Sequence, residues 1–281
     1  MEALHPNHPT NQTLTTSKRR PPVAAEYLDG QSPNERSQEK RLRVLVWVYR
    51  WGWSSADIIN IVSGQATKGY ATKLVQAGLL RETLSSSVHL KRFFTLTADG
   101  LAEIERHISQ LLPYPEIRPL RVRQELIRHQ LIAQRLTLEY MKYGPVAGIV
   151  TERMYPDLTD KAGVKRPDVV WHCRDGQVIA VEVELTSKWG RKLDEFILKI
   201  SDSIHKYSAG YAVFTDSPAI HKHYSAAMSE GATVSHWEKD HRGYWYVSAT
   251  QEIEADFARR VQVRLIDEHD KVVVRKKSRN E

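Results

Sequence analysis

The chain is short of the features that define several protein classes. Among 281 residues it has one cysteine, Cys173. No disulfide framework can form within the chain, so a reducing, cytoplasmic setting is expected. Nowhere do about 18 apolar residues run together, so no membrane span is expected. The start, through Ser37, is rich in Pro, Ser, Thr, Asn and charge but lacks the apolar stretch of a signal peptide. Gly64, Gly69 and Gly78 belong to no Gly-x-x-x-x-Gly-Lys phosphate loop. His172-Cys173 has no companions for a zinc site. His221-Lys222-His223 has a metal-pair spacing, but Ser217-Pro218 before it signals a helix start rather than a strand.

Basic charge, in contrast, is in excess. The formal net charge is +7 and the sequence pI is about 9.3. That balance fits a polyanionic partner such as nucleic acid, and equally an ordinary solvated surface. The length suggests one large domain or two modest ones. Residues 1–38 read as a disordered arm, in which Lys18-Arg19-Arg20 is either a phosphate contact or a solubilising feature.

Residues 39–111 alternate helical and strand signals. Leu42, Leu45, Val46 and Tyr49 recur at helical spacing. Ser55 is placed to cap a short helix with Ile58, Ile59 and Val62, which Gly64 ends. A third helix is expected over 66–76. Two strand-like runs, Arg81–Leu84 and Arg92–Leu96, flank a polar hairpin tip, and Thr97-Ala98-Asp99-Gly100 opens another helix. Prolines 113, 115 and 119 mark 112–120 as a semi-rigid linker.

From residue 121 to 265 the pattern is α/β: a helix over 121–142, strands near 147–153, 168–173 and 179–185, and a helix over 192–207. A strand at 211–214 follows, then a helix from Pro218, strands at 232–237 and 244–247, and a final helix over 252–265. A charged tail, 266–281, contains Val272-Val273-Val274 as a possible edge strand.

The densest chemistry lies in Arg166-Pro167-Asp168 and Val181-Glu182-Val183-Glu184-Leu185. Strand side chains alternate faces, so Val181, Val183 and Leu185 point toward a core and Glu182 and Glu184 point the other way. Two like charges adjacent on one strand face repel unless a cation lies between them. With Asp168 as a third carboxylate, a divalent ion with hard oxygen ligands, Mg²⁺ or Mn²⁺, is one reason to keep them. A solvated acidic edge is the other. All three acids are expected to converge on one sheet face. Lys188 in the loop after the strand is either a fourth site residue or an ordinary surface lysine. His129, four residues after Glu125 on a helix face, and Glu152 at the end of the first α/β strand are further candidates.

Two resemblances rest on these residues. Tyr70 with Leu74, Ala77-Gly78-Leu79-Leu80-Arg81, and Phe94-Thr95-Leu96-Thr97 followed by Gly100 resemble a winged helix-turn-helix domain. In such a domain the third helix enters the major groove and the hairpin rests on phosphates. The resemblance implies that Lys68, Tyr70, Thr72 and Lys73 face the groove and that His89, Lys91 and Arg92 lie on the wing. Winged helices also serve as protein-docking modules.

Helix, three-strand meander, helix, strand is the core order of the PD-(D/E)xK nuclease superfamily, a restriction-endonuclease-like mixed sheet flanked by helices. Pro167-Asp168 and Glu182-Val183-Glu184 resemble its motif, with Glu184 where a lysine is usual. Within it, Arg128-His129-Gln130-Leu131, Glu152, Pro167-Asp168, Glu182-Val183-Glu184 and Lys199 through Lys206-Tyr207 are similar, in this order, to the MobC-type relaxases and replication–relaxation proteins of mobilisable plasmids.

That resemblance implies a Mg²⁺- or Mn²⁺-dependent nickase acting on supercoiled double-stranded DNA at a transfer or replication origin, with an accessory mobilisation protein. It implies Asp168, Glu182 and Glu184 as metal ligands, and Lys188, His129 and Glu152 as further catalytic positions. Tyr207, Tyr211 and Tyr224 are candidate nucleophiles if the nicked strand is held covalently. A non-catalytic replication initiator or transcriptional regulator on a nuclease-like scaffold is the competing class. An endonuclease of defence or transposition that cuts both strands is the third.

Overall fold

The computed structural model describes residues 30–64, 68–113, 115–155, 166–267 and 269–272. The expected arm up to residue 29, with Lys18-Arg19-Arg20, lies outside the described residues, as does the tail beyond 272. The chain divides into a short unit, Met1–Glu39, and a large one, Lys40–Glu281. In the short unit, Ser32 N–H donates to Glu35 Oε2 (2.7 Å) and Ser32 Oγ accepts from Glu35 N–H (3.2 Å). This reciprocal capping box, with Pro33 at the first helical position, opens helix α1 (Pro33–Trp51).

In the large unit, α1 is followed by α2 (Ala56–Ser63), α3 (Tyr70–Gln76), a hairpin of β1 (Leu80–Leu84) and β2 (Arg92–Leu96), and α4 (Ala98–Glu105). Ser55 caps α2 by accepting from Ile58 N–H, and Gly64 ends it in the left-handed conformation. Thr97 caps α4 in the same way through Gly100 N–H. Gly100 must be glycine for steric reasons, since a Cβ there would sit 2.1 Å from the Leu79 carbonyl oxygen. Ser54 pairs with Phe94 through two backbone hydrogen bonds of 3.0 and 2.8 Å, adding a third short strand to the hairpin.

Two single-turn 3₁₀ segments, Pro119–Arg121 and Gln124–Leu126, lead into α5 (Ile127–Tyr143). A five-stranded mixed sheet follows, in the order β3-β4-β5-β6-β9. Its members are β3 (Val146–Thr151), β4 (Val169–Cys173), β5 (Val178–Val183), β6 (Tyr211–Thr215) and β9 (Val261–Leu265). The first three form an antiparallel meander, and β6 and β9 join in parallel. Between them lie α6 (Arg191–Ser203), α7 (Pro218–Ala227), a separate antiparallel hairpin of β7 (Thr233–Lys239) and β8 (Trp245–Glu252), and α8 (Ala255–Arg260). The mixed α/β class is as expected, and among the described residues no helix is long and apolar enough to cross a membrane.

Both faces of the sheet are covered. On one, Val181, Val183, Trp171 and Phe214 pack with Leu131, Ile132 and Leu136 of α5. On the other, Ala180, Val170 and Val213 pack with Leu193, Phe196, Ile197 and Ile200 of α6. A strand buried on both sides has no solvated face for its charges, and that decides where Glu182 goes.

Three expectations change. The helix expected over 252–265 is only α8. The alternating Val261, Val263 and Leu265 instead extend the sheet beside β6, as a period of two demands. The chain assigned to a charged tail from 266 packs back through residue 272. Its Asp270 is 1 % exposed and held by Arg128 (2.8 Å) and Arg135 (2.6 Å), while Val272 bridges to Ile266.

The segment 112–120, expected as a linker, does not separate distinct cores. One buried cluster runs from Val44 and Trp53 through Leu131 to Phe214. Fully buried Gln134 of α5 joins the halves, accepting from Trp47 Nε1 (2.9 Å) and Ser54 Oγ (2.8 Å) and donating to the Trp53 carbonyl (3.2 Å). A buried amide whose hydrogen bonds are met fixes one relative placement of these elements.

Candidate functional site

Asp168 lies just before β4, where the meander turns toward the end of β5. Its N–H donates to the Val181 carbonyl (3.0 Å), and its Oδ2 accepts from Val183 N–H (2.7 Å). The carboxylate is therefore fastened to the end of β5 by the backbone. The same Oδ2 lies 3.1 Å from Nε2 of His129, in the first turn of α5. Burial alone would lower the His129 pKa. The hydrogen bond and charge of Asp168, the charge of Glu184 and the Val183 backbone outweigh it and raise the value above 6.5. The 3.1 Å separation suits an Nε2–H that donates to Asp168 Oδ2.

Glu184, one residue past β5, is 8 % exposed. Its N–H is fixed to the Phe214 carbonyl (2.8 Å), and its Oε2 receives the Lys188 ammonium. Lys188 is held in turn by its own N–H, which donates to Tyr224 Oη (3.1 Å), and by its Nζ lying 4.8 Å from the Phe196 ring centre. The structure thus brings His129, Asp168, Glu184 and Lys188 into one charged neighbourhood.

Glu182 takes another position. It shares the face of Glu184 by alternation but is 2 % exposed under the α6 layer. Its charge is felt by Tyr155, Tyr207 and Tyr211, whose hydroxyls are pushed up mainly by burial and further by Glu182. Among the described residues no three His, Cys, Asp or Glu side chains converge in a group able to hold a metal ion.

The fit of a hard divalent cation rests on two oxygens. Hydrogen bonds occupy Asp168 Oδ2 and Glu184 Oε2, and no described group engages Asp168 Oδ1 or Glu184 Oε1. Two carboxylate oxygens completed by water are a donor set that Mg²⁺ accepts.

The candidate nucleophiles are inward. Tyr207 is 8 %, Tyr211 1 % and Tyr224 0 % exposed. Tyr211 shares a 2.7 Å hydrogen bond with Ser203, and burial pushes Tyr211 and Tyr224 up to about 12. His221 and His223 lie on α7, capped by Ser217 as its Ser-Pro start implies.

Glu152 is exposed in a 3₁₀ turn, Glu152–Met154, that ends β3. It lines a cavity of about 270 Å³ shared with Asp168 and His129. The same cavity is walled by Arg50 and Trp53 from the end of α1 and the turn after it, by Arg121, and by Arg153. Reading the sequence alone missed these arginines. Arg50 and Arg153 lie about a hundred residues apart and no spacing connects them.

The residues expected on the DNA-facing side are mostly at the surface. Lys68, Thr72, Lys73, His89, Lys91 and Arg92 are exposed, and Tyr70 is half-buried at the start of α3. Arg92 is engaged across the hairpin by Glu82 (2.6 Å).

No family model, no curated protein and no solved structure matches the chain.

Proposed function

We propose that the chain is a metal-dependent DNA nickase, similar in plan to the MobC-type relaxases. In this reading α1–α4 with the β1–β2 hairpin act as a winged helix that docks duplex DNA. The mixed sheet acts as a PD-(D/E)xK-like nuclease domain. One observation carries the reading: the Asp168–His129 pair and the Glu184–Lys188 pair meet at the end of β5, and Asp168 and His129 open into an arginine-walled cavity. Crowded carboxylates beside cationic groups suit a reaction that adds negative charge to a phosphate.

Asp168 and Glu184 would hold a Mg²⁺ or Mn²⁺ ion, with Glu182 behind them. Such an ion supplies charge neutralisation and lowers the pKa of a bound water. The protein's own groups do the rest. Lys188 orients Glu184, and one of the two positions the attacking water or takes its proton. His129, protonated at Nε2, holds Asp168 in place. Glu152 stands at the mouth of the cavity. The buried tyrosine hydroxyls favour hydrolysis over a covalent tyrosine link.

A second reading has its own support. Lys188 and His129 already engage Glu184 and Asp168, as they would in a non-catalytic DNA-binding scaffold such as an initiator or regulator. Nicking of supercoiled plasmids carrying candidate origins, with accessory mobilisation protein and with Mg²⁺ or Mn²⁺, separates the two. The nickase converts them to open circles, and Glu184→Gln does not. Tight origin binding with no open circles under either metal supports the scaffold.

A further inference from the structure

We propose that the cavity between the end of α1 and the end of β3 is a phosphate-binding pocket, in which Arg50 and Arg153, with Arg121 at the wall, grip a phosphate group of a nucleic-acid strand beside Asp168 and His129. This rests on the nuclease reading and deepens it by assigning the substrate group that enters the site.

The first observation is unmatched charge. Arg50 and Arg153 are both half-buried, and no carboxylate lies within salt-bridge distance of either among the described residues. A desolvated guanidinium is costly unless something compensates it. Several other half-buried arginines are engaged: Arg128 and Arg135 share Asp270, Arg191 meets Glu195, and Arg264 donates to the neutral oxygens of Tyr140 and Gln262. Burial lowers the pKa of Arg50 and of Arg153, while Glu116 and Glu152 act on Arg153 through space without reaching contact.

The second observation is shape. Arg153 lies flat against Gly52, where a Cβ would come 2.3 Å from its Nε. Gly52 also has φ of +80°, a conformation that L side chains rarely adopt. The turn Trp51-Gly52-Trp53 is thus built to admit that guanidinium. The third observation is an idle donor: Trp51, 5 % exposed on the cavity wall, has an indole N–H that donates to nothing described. Planar guanidinium forks with an N–H donor match the several oxygens of a phosphate.

The phosphate can be an internal diester of the strand or a terminal monoester. The test is anisotropy of labelled pentanucleotides with a 5′-hydroxyl or a 5′-phosphate on the full chain, in EDTA, with inorganic phosphate as competitor. Arg50→Gln and Arg153→Gln should each weaken binding at least tenfold. Arg153→Lys, which keeps the charge but not the fork, should recover some of it. A preference for the 5′-phosphate, with competition by inorganic phosphate, assigns the terminal group. Equal affinity for both strands assigns the diester.

Thermal melting checks each variant, and Arg153→Lys carries the test if Arg153→Gln fails to fold. Folded variants at both positions that bind as the unmodified protein does would overturn the pocket. Binding is measured without metal, so the two readings fail separately. Arginine-dependent binding with no nicking rejects the nuclease and keeps the pocket, and nicking with arginine-indifferent binding does the reverse.

Discussion

The molecule carries positive charge in two different ways. Around α3 and the β1–β2 hairpin, Lys68, Lys73 and Lys91 stand in water, where a cation costs almost nothing to keep. At the cavity beside Asp168, Arg50 and Arg153 are half-buried without a carboxylate in contact among the described residues. The first kind is ordinary surface until a ligand is shown. The second kind needs a compensating reason, since removing charge from water without a partner is unfavourable. A charge count treats the two alike, and only burial separates them.

The sharpest way to break this comparison is to separate docking from chemistry. Asp168→Asn should reduce nicking by about three orders of magnitude, the scale of several kcal/mol of lost charge stabilisation. Duplex affinity at the exposed region should stay the same. A variant that loses duplex affinity in parallel with nicking would merge the two regions into one. The complementary change is Lys68→Ala with Lys73→Ala and Arg92→Ala. The slope of log K against log salt should fall by about one unit per lost phosphate contact. Arg92 should contribute least, because Glu82 already engages it. An unchanged slope would make the hairpin region a protein-docking surface.

A third change sharpens the contrast in stability. Arg153→Met keeps an apolar stem and removes a poorly compensated charge, so the free protein should gain about 1 kcal/mol. That corresponds to roughly 2–4 °C in a melting scan for a chain of this size. A loss of stability would mean that Arg153 is a structural group.

The smallest effect concerns His129. Its imidazole should titrate above 6.5 by NMR, and Asp168→Asn should bring it down, since burial then acts with less opposition. A folded-state pKa above the unfolded one stabilises the fold fully below pH 6.5, and the contribution fades as pH rises through the folded value. Titration unchanged in Asp168→Asn would remove the pair from the site.

Much of this was legible from local rules. Ser55, Gly64, Thr97 and Ser217-Pro218 mark helix ends where the structure has them. Strand alternation and a hairpin-sized gap lead to the expectation that Asp168, Glu182 and Glu184 converge on one face, whereas Glu182 is buried at 2 % exposure. Alternation also set Glu182 opposite Val181 and Val183 but could not say what covers its face. The apolar stripe of α6, Leu193, Phe196, Ile197 and Ile200, was visible as a helix, not as the lid over Glu182. The run 252–265 mixed a six-residue helix with a five-residue strand, too short for either period to dominate. Gln134 and the arginine cavity depend on contacts between distant segments, which no local pattern encodes.

The central claim is that Asp168 and Glu184 hold a divalent ion, and it can be tested without knowing the DNA sequence. Mn²⁺ binding followed by electron paramagnetic resonance, on the full chain and on Asp168→Asn and Glu184→Gln, measures it directly. The expected result is saturable binding of one or two ions by the unmodified protein, lost or weakened at least tenfold in both variants. Mn²⁺ binding that is absent in the unmodified protein, or equal in all three, would contradict it.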